Sequence, residues 1–325
     1  MPGVSSRHTS QGMVLILLLW MLALASIWLI FISDHLGTYA KYQSQREQRL
    51  IWQTQARSLL HWAEEQIAHT RHWQPLTPVL ETQLDVQQKQ AYLPYDGRWR
   101  THFDTYPELA QQGARVSILD LSGRINPNLM VAGQWRSLIQ AWHQNESLAT
   151  EVTAVWQDWR DPDHLKALNG AEFDDYQKLG YAPRNANLVY VDEMRLWKIS
   201  RPWLPQGDLR QYFSVYAPEN KVNPNYASVD LLAALPGMDA SLARTLLQAR
   251  EGIRPLTLNQ VRDLVPITRW PSLFTWLNFE PSRRFLIEAV AHKDAGFSLY
   301  EVVELEWQGE QRRLATGIRW LHAQP

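Results

Sequence analysis

An almost unbroken apolar run from Met13 to Ile32, with Ser26 its only polar residue, constrains this chain more than any other feature. A helix rises about 1.5 Å per residue, so roughly 20 such residues span the roughly 30 Å hydrocarbon core of a bilayer. The leader before the run carries Arg7 and His8 and no acidic residue. The positive-inside rule keeps such a leader on the cytoplasmic side and places the rest of the chain beyond the membrane.

Three readings of this start compete. A secretory signal has a shorter apolar stretch followed by a small-x-small cleavage site, and Ile32-Ser33-Asp34-His35 does not supply one. A plain signal anchor satisfies the topology signals. The third reading rests on the boundary Gly12-Met13-Val14-Leu15-Ile16-Leu17, which resembles a type IV prepilin signal cut directly after a glycine. That resemblance implies cleavage between Gly12 and Met13, with Met13 N-methylated as the mature N-terminus. The fifth mature residue is then Leu17, where most pilins and pseudopilins have glutamate. A glutamate buried among filament helices needs the charged amine of a neighbouring subunit, because an unpaired buried charge costs several kcal/mol or so. A subunit with Leu17 asks for no such partner, which suits the first subunit of a filament.

Beyond the anchor the chain is ordinary globular protein, with room in its 325 residues for one large domain or two moderate ones. Lys plus Arg number 32 against 33 for Asp plus Glu, so no excess of positive charge argues for nucleic acid as a partner. No cysteine is present, which excludes disulfides, thiolate metal sites and cysteine nucleophiles together. Sixteen tryptophans predict a large aromatic core.

From Ser33 to about Thr70 apolar residues recur mostly at spacings of three and four, among them Leu36, Leu50, Ala56, Leu59, Leu60, Ala63 and Ile67. This predicts one long helix, apolar at its start and amphipathic afterwards, with its second half against a globular body. Residues 74–113 read as loop with short elements. Ala114–Asp120 alternates as a strand, followed by a turn at Ser122-Gly123 and by Asn126-Pro127-Asn128. Helical patterns then dominate until about residue 280. Alternation returns in Arg284–Ala291, Tyr300–Trp307 and Arg312–Trp320, which predicts three antiparallel strands. A helical block between strand segments implies an α+β fold with a helical insertion. The expected boundaries are 1–12 for the leader, 13–32 for the membrane segment, 33–128 and 282–325 for the head, and 129–281 for the insertion.

Asp158, Asp161, Asp163, Glu172, Asp174 and Asp175 gather six carboxylates in a short stretch. Carboxylates held together repel one another unless a cation neutralises them, and an irregular oxygen-only set suits Ca²⁺ better than Mg²⁺. The spacing is not that of an EF-hand loop. A solvated acidic loop capping helices is the alternative. Catalysis finds little support: of His61, His69 and His72 near the long helix, His69 and His72 share a face but lack a third ligand, Ser122 lacks a nucleophile elbow, and no phosphate loop is present. A membrane-anchored periplasmic metal-dependent enzyme or binding protein, with the acidic cluster as its site, is the competing functional class.

The order Asp158-Trp159-Arg160-Asp161-Pro162-Asp163, Gly170-Ala171-Glu172-Phe173-Asp174, Pro183–Asn187, Val191–Leu196, Val222–Asn225 and Leu231–Gly237 resembles the minor pseudopilin K family of type II secretion systems. It departs from that pattern at Phe173, where an acidic residue is usual, and at Arg160, where an apolar one is. The resemblance implies a pilin-like head with an inserted helical domain that binds calcium, with Asp161, Asp163, Glu172, Asp174 and Asp175 as candidate ligands. It further implies a non-enzymatic subunit at the tip of the periplasmic pseudopilus, anchored in the Gram-negative inner membrane by a single pass. Its partners would be prepilin peptidase, minor pseudopilins resembling I and J, the other pseudopilins of the filament, and exported cargo. Residues 222–252 resemble a helix-hairpin-helix unit, but Asp239 replaces the second glycine and puts a carboxylate where a phosphate would sit, so packing rather than DNA binding is expected.

Overall fold

The computed structural model describes residues 9–69, 82–85, 95–101, 103, 106–251, 255–308 and 311–323. The start of the leader, His72 and much of 74–113 lie outside them. The chain divides into two compact units, residues 1–55 and 56–325. The first holds most of helix α1, Thr9–His69. From Met13 to Ile32 its side chains are exposed, Leu17 by 59%. This is the one helix among the described residues long and apolar enough to cross a membrane. The Gly12–Met13 boundary lies within it.

The second unit begins with the last turns of α1. There Ala56, Leu59, Leu60, Ala63 and Ile67 are fully buried. Their three- and four-residue spacing makes one stripe, as the amphipathic pattern predicts. Trp62 meets Phe103 edge to face at 5.2 Å, and Glu64 on the same turns lies 3.7 Å from Arg319.

Five strands form one antiparallel sheet in the order β1 (Asp96–Arg100), β2 (Arg115–Asp120), β3 (Arg284–Val290), β4 (Phe297–Gln308) and β5 (Gln311–Ala323). The C-terminal strands match the predicted alternation, with Phe285, Ile287 and Ala289 buried on one face of β3. β4 starts at Phe297, a few residues before the expected Tyr300. β1 was not visible in the sequence, because Asp-Gly-Arg-Trp-Arg carries no run of β-branched residues. A short helix, α2 (Pro107–Gln111), precedes β2.

β2 and β3 are sheet neighbours, yet residues 121–283 run between them, and the regular elements described there are helices joined by long loops. They include α3 (Ala132–His143), α4 (Glu146–Arg160), α5 (Phe173–Gln177), α6 (Val229–Ala234), α7 (Ala240–Arg250), α8 (Leu258–Leu264) and α9 (Trp270–Phe274). Their starts carry the expected oxygen caps: Asn145 accepts from the Leu148 N–H, Ser228 from Leu231, and Thr257 from Gln260. Trp135 is fully buried at the centre of this block, ringed by Trp156, Trp197, Trp203 and Phe213 with centroids 5.6–6.1 Å away. Half of the sixteen tryptophans lie in or pack against this one core.

Asparagine pairs lace the block together where it lacks regular ladders. The Asn128 side chain donates to the Leu188 carbonyl and accepts from the Leu188 N–H, as one strand would pair with another. Asn225 does the same with Leu256. Asn126 donates to the carbonyls of Val215 and Ala217. A Cβ on Gly123 would lie 2.5 Å from the Tyr226 carbonyl oxygen, so this close crossing needs glycine. In the helix-hairpin-helix-like unit, Asp239 caps α7 by accepting from the N–H groups of Ser241 and Leu242, and it pairs with Arg269. Its carboxylate serves packing.

Candidate metal centre

The acidic stretch opens in the last turn of α4. Asp158 is 1% exposed, and its two oxygens each accept from the Ala167 N–H at 3.2 Å. This bond draws the loop 161–170 back over the helix end. A Cβ on Gly170 would lie 1.9 Å from Asp158 Oδ2, so only glycine fits there. Asp161 caps the C-terminus of α4, and its Oδ1 is buried without a hydrogen-bond partner. Asp163 Oδ1 accepts from the Leu165 N–H at 2.7 Å and shapes the loop.

Glu172, 5% exposed, caps the start of α5. Its Oε2 accepts from the Phe173 N–H at 3.2 Å, while Oε1 is buried with no partner. Burial raises the carboxyl pKa of Asp158, Asp161 and Glu172 above the usual range. Mutual repulsion adds to it: Asp161 raises Asp158, and both raise Glu172. These three therefore share one electrostatic environment that disfavours three negative charges.

Asp175 belongs to a different arrangement. Lys166 Nζ and Lys198 Nζ each reach one of its oxygens at 2.7 Å, and it also accepts from the Glu172 N–H at 3.1 Å. Those bonds hold its carboxyl far below the usual range. Two ammonium groups already neutralise it. Asp174 is exposed on α5.

A third orphaned oxygen belongs to Asn185. Asn185 donates its N–H to the Trp159 carbonyl at 2.9 Å, which ties the Pro183–Asn187 motif to the end of α4. Asn185 has φ +51°, and its side-chain Oδ1 is buried without a partner. Arg160 donates to Asn187 Oδ1, and Arg184 to the Asn187 carbonyl, fixing the motif.

Asp161 Oδ1, Glu172 Oε1 and Asn185 Oδ1 are hard oxygens, buried and unpaired, two of them on mutually repelling carboxylates. That is the donor chemistry of a Ca²⁺ site. The described residues hold no group of three His, Asp or Glu already drawn together around one point. Of the five ligands implied by the resemblance, Asp161 and Glu172 carry this chemistry, while Asp175 is claimed by lysines. Asp158 and Asn185 were not among the expected ligands. Asp158 was legible as the first carboxylate of the run, whereas Asn185 becomes visible only through its unpaired oxygen.

Residues 114–206, which contain β2, α3, α4 and all of these groups, match the family model for the first domain of type II secretion system (T2SS) protein K. A protein named type II secretion system protein K from Pseudomonas aeruginosa is 31% identical over 151 residues, covering 42% of this chain. The aligned region is 44% of that relative, so the chain spans less than half the length of this relative. A crystal structure of the GspK-GspI-GspJ complex from the type 2 secretion system of enterotoxigenic Escherichia coli shares the fold. The TM-score is 0.54 at 15% identity, over 88% of this chain and 99% of the matched one. The motif order, the domain match over residues 114–206 and the fold agree in their similarity to the type II secretion system protein K family.

Proposed function

We propose that this chain is a non-enzymatic minor pseudopilin that starts a pseudopilus and stays at its tip. The observation that carries the reading is the match of residues 114–206, the segment that bears the acidic cluster, to secretion protein K. Its N-terminal helix would hold the precursor in the inner membrane, with the head in the periplasm, until assembly. Cleavage after Gly12 by prepilin peptidase would free Met13 for methylation. Leu17 then brings no carboxylate to the filament core, so no subunit above is needed to neutralise it. The large helical block between β2 and β3 adds bulk that a tip accommodates and a repeating shaft does not.

The partners proposed are minor pseudopilins resembling I and J, as in the related crystallised complex, with the remaining pseudopilins below and exported proteins passing outward. Calcium is proposed as a structural ion. Asp161 and Glu172 would hold it, with the Asn185 side-chain oxygen as a neutral donor and Asp158 shaping the loop. When bound, the ion would neutralise carboxylates that otherwise repel, joining the end of α4 to the start of α5.

Two experiments test the reading. After co-expression with prepilin peptidase, N-terminal sequencing is expected to begin at methylated Met13, and a chain still starting before Gly12 refutes the class. Co-purification with the I and J partners is expected to give a stable complex. A chain that never associates with them refutes the tip role.

A further inference from the structure

A chamber of about 550 Å³ opens where the helical block meets the sheet. Its walls come from the turn after β2, the segments 189–196 and 210–216, Leu286 of β3 and Trp320 of β5. The volume lies within the roughly 300–1,000 Å³ of small-molecule pockets, and the lining is mainly apolar. Trp320 stacks with both Tyr216 and Tyr300, at 6.0 and 5.4 Å between centroids, which makes an aromatic wall.

The charged groups of the lining are accounted for, with one exception. Arg210 is held by Asp208 at 2.7 Å and lies over the Tyr300 ring. Asp192 pairs with Arg195. Glu193 pairs with Arg184 and accepts from the N–H groups of Val189 and Tyr190. Arg124 alone has no carboxylate within ion-pair distance among the described residues. Its Nε donates to the Arg210 carbonyl at 2.7 Å and one Nη to the Gly123 carbonyl at 2.8 Å. Those two bonds fix the guanidinium and leave three of its five N–H groups without a described partner. Burial lowers its pKa to about 10, which keeps it charged at neutral pH.

We propose that this chamber binds a small apolar carboxylate, its anion paired with Arg124 and its body against Phe213, Leu286 and Trp320. A guanidinium recognises a carboxylate through two parallel N–H bonds, and desolvation strengthens the pair. Asp208, already paired with Arg210, offsets the Arg124 charge only from beyond ion-pair distance, so a monoanion matches it. A phosphate dianion would leave excess negative charge beside Asp192 and Glu193. A chamber walled by several separate segments also favours a compact ligand over an extended peptide.

The test uses the full chain in lipid nanodiscs, with empty discs as control and ligand-observed NMR as readout. The probes are 2-naphthoate, its neutral isostere 2-naphthamide, and a tripeptide ending in a free phenylalanine carboxylate. Naphthoate is expected to bind saturably and at least tenfold more tightly than the amide. Arg124→Met is expected to abolish that preference. Val189→Trp, which adds bulk at an exposed lining position and leaves Arg124 in place, is expected to weaken naphthoate at least tenfold, and it keeps the test open if the arginine variant misfolds. No saturable naphthoate binding, equal binding of the amide, or a preference that survives Arg124→Met overturns the proposal. Binding of the tripeptide without naphthoate overturns it as well, in favour of a peptide site.

Discussion

Asp120 gives the sharpest test of how the helical block is joined to the sheet. It ends β2, where the chain leaves the sheet, and its Oδ1 accepts from the Ser122 N–H and hydroxyl at 2.8 and 2.7 Å. The same oxygen accepts from the Ser282 N–H at 3.2 Å, where the chain returns towards β3. Oδ2 is buried without a partner. Burial raises the carboxyl pKa from 3.8 to about 6, against the lowering effect of these bonds. A raised carboxyl pKa means the folded state holds its proton more tightly than the unfolded chain. This contribution is therefore fully present below pH 3.8 and is lost as pH rises through about 6. At about 1.4 kcal/mol per pKa unit the whole loss is about 3 kcal/mol, of which about 2 kcal/mol falls between pH 4.5 and 7.5. Asp120→Asn keeps the accepting oxygen and removes the titration. Thermal unfolding of the full chain in nanodiscs, followed by tryptophan fluorescence, checks it. At roughly 2–4 °C per kcal/mol, the variant's midpoint should rise relative to wild type by about 4–8 °C between those pH values. A constant offset across that window would refute the argument.

Other perturbations give equally definite outcomes. Chelation of calcium should lower the unfolding midpoint, because an ion bound only to the folded state stabilises it; Asp161→Asn with Glu172→Gln should erase that difference, while Asp175→Ala should leave it intact. Arg319→Met should cost about 3–5 kcal/mol in chemical denaturation, since Glu301, 0% exposed, would lose its two 2.9 Å bonds and stay buried. Glu301→Gln added to that variant should recover part of the loss. Trp135→Ala should cost about 3–5 kcal/mol by the same measurement, because its neighbours cannot all close the cavity.

How much was legible in the sequence depended on how local the cause was. The three- and four-residue spacing from Ala56 to Ile67 marked the buried stripe of α1, and alternation marked β2 to β5. Periodicity is a property of one element and its single apolar face. β1 escaped notice because pairing with β2, not its own residues, makes it a strand. The acidic run was visible as a cluster but not as a set of roles. Lys166 and Lys198 come to Asp175 only through the fold, and that contact separates it from Asp161 and Glu172.

The sequence by itself carried the apolar run from Met13, a glycine at position 12 that resembles a prepilin boundary, Leu17 in place of a carboxylate, and the ordered motifs that resemble the protein K family. These depend on residue type and spacing along one chain. Tertiary structure decided which oxygens are left unpaired, that Asn185 is tied through its N–H to the end of α4, and that Arg124 lines a chamber with no carboxylate in ion-pair distance among the described residues. Each of those is a relation between segments distant in sequence. Burial gives them their energy, because an unpaired charge or oxygen is costly only where water cannot reach it.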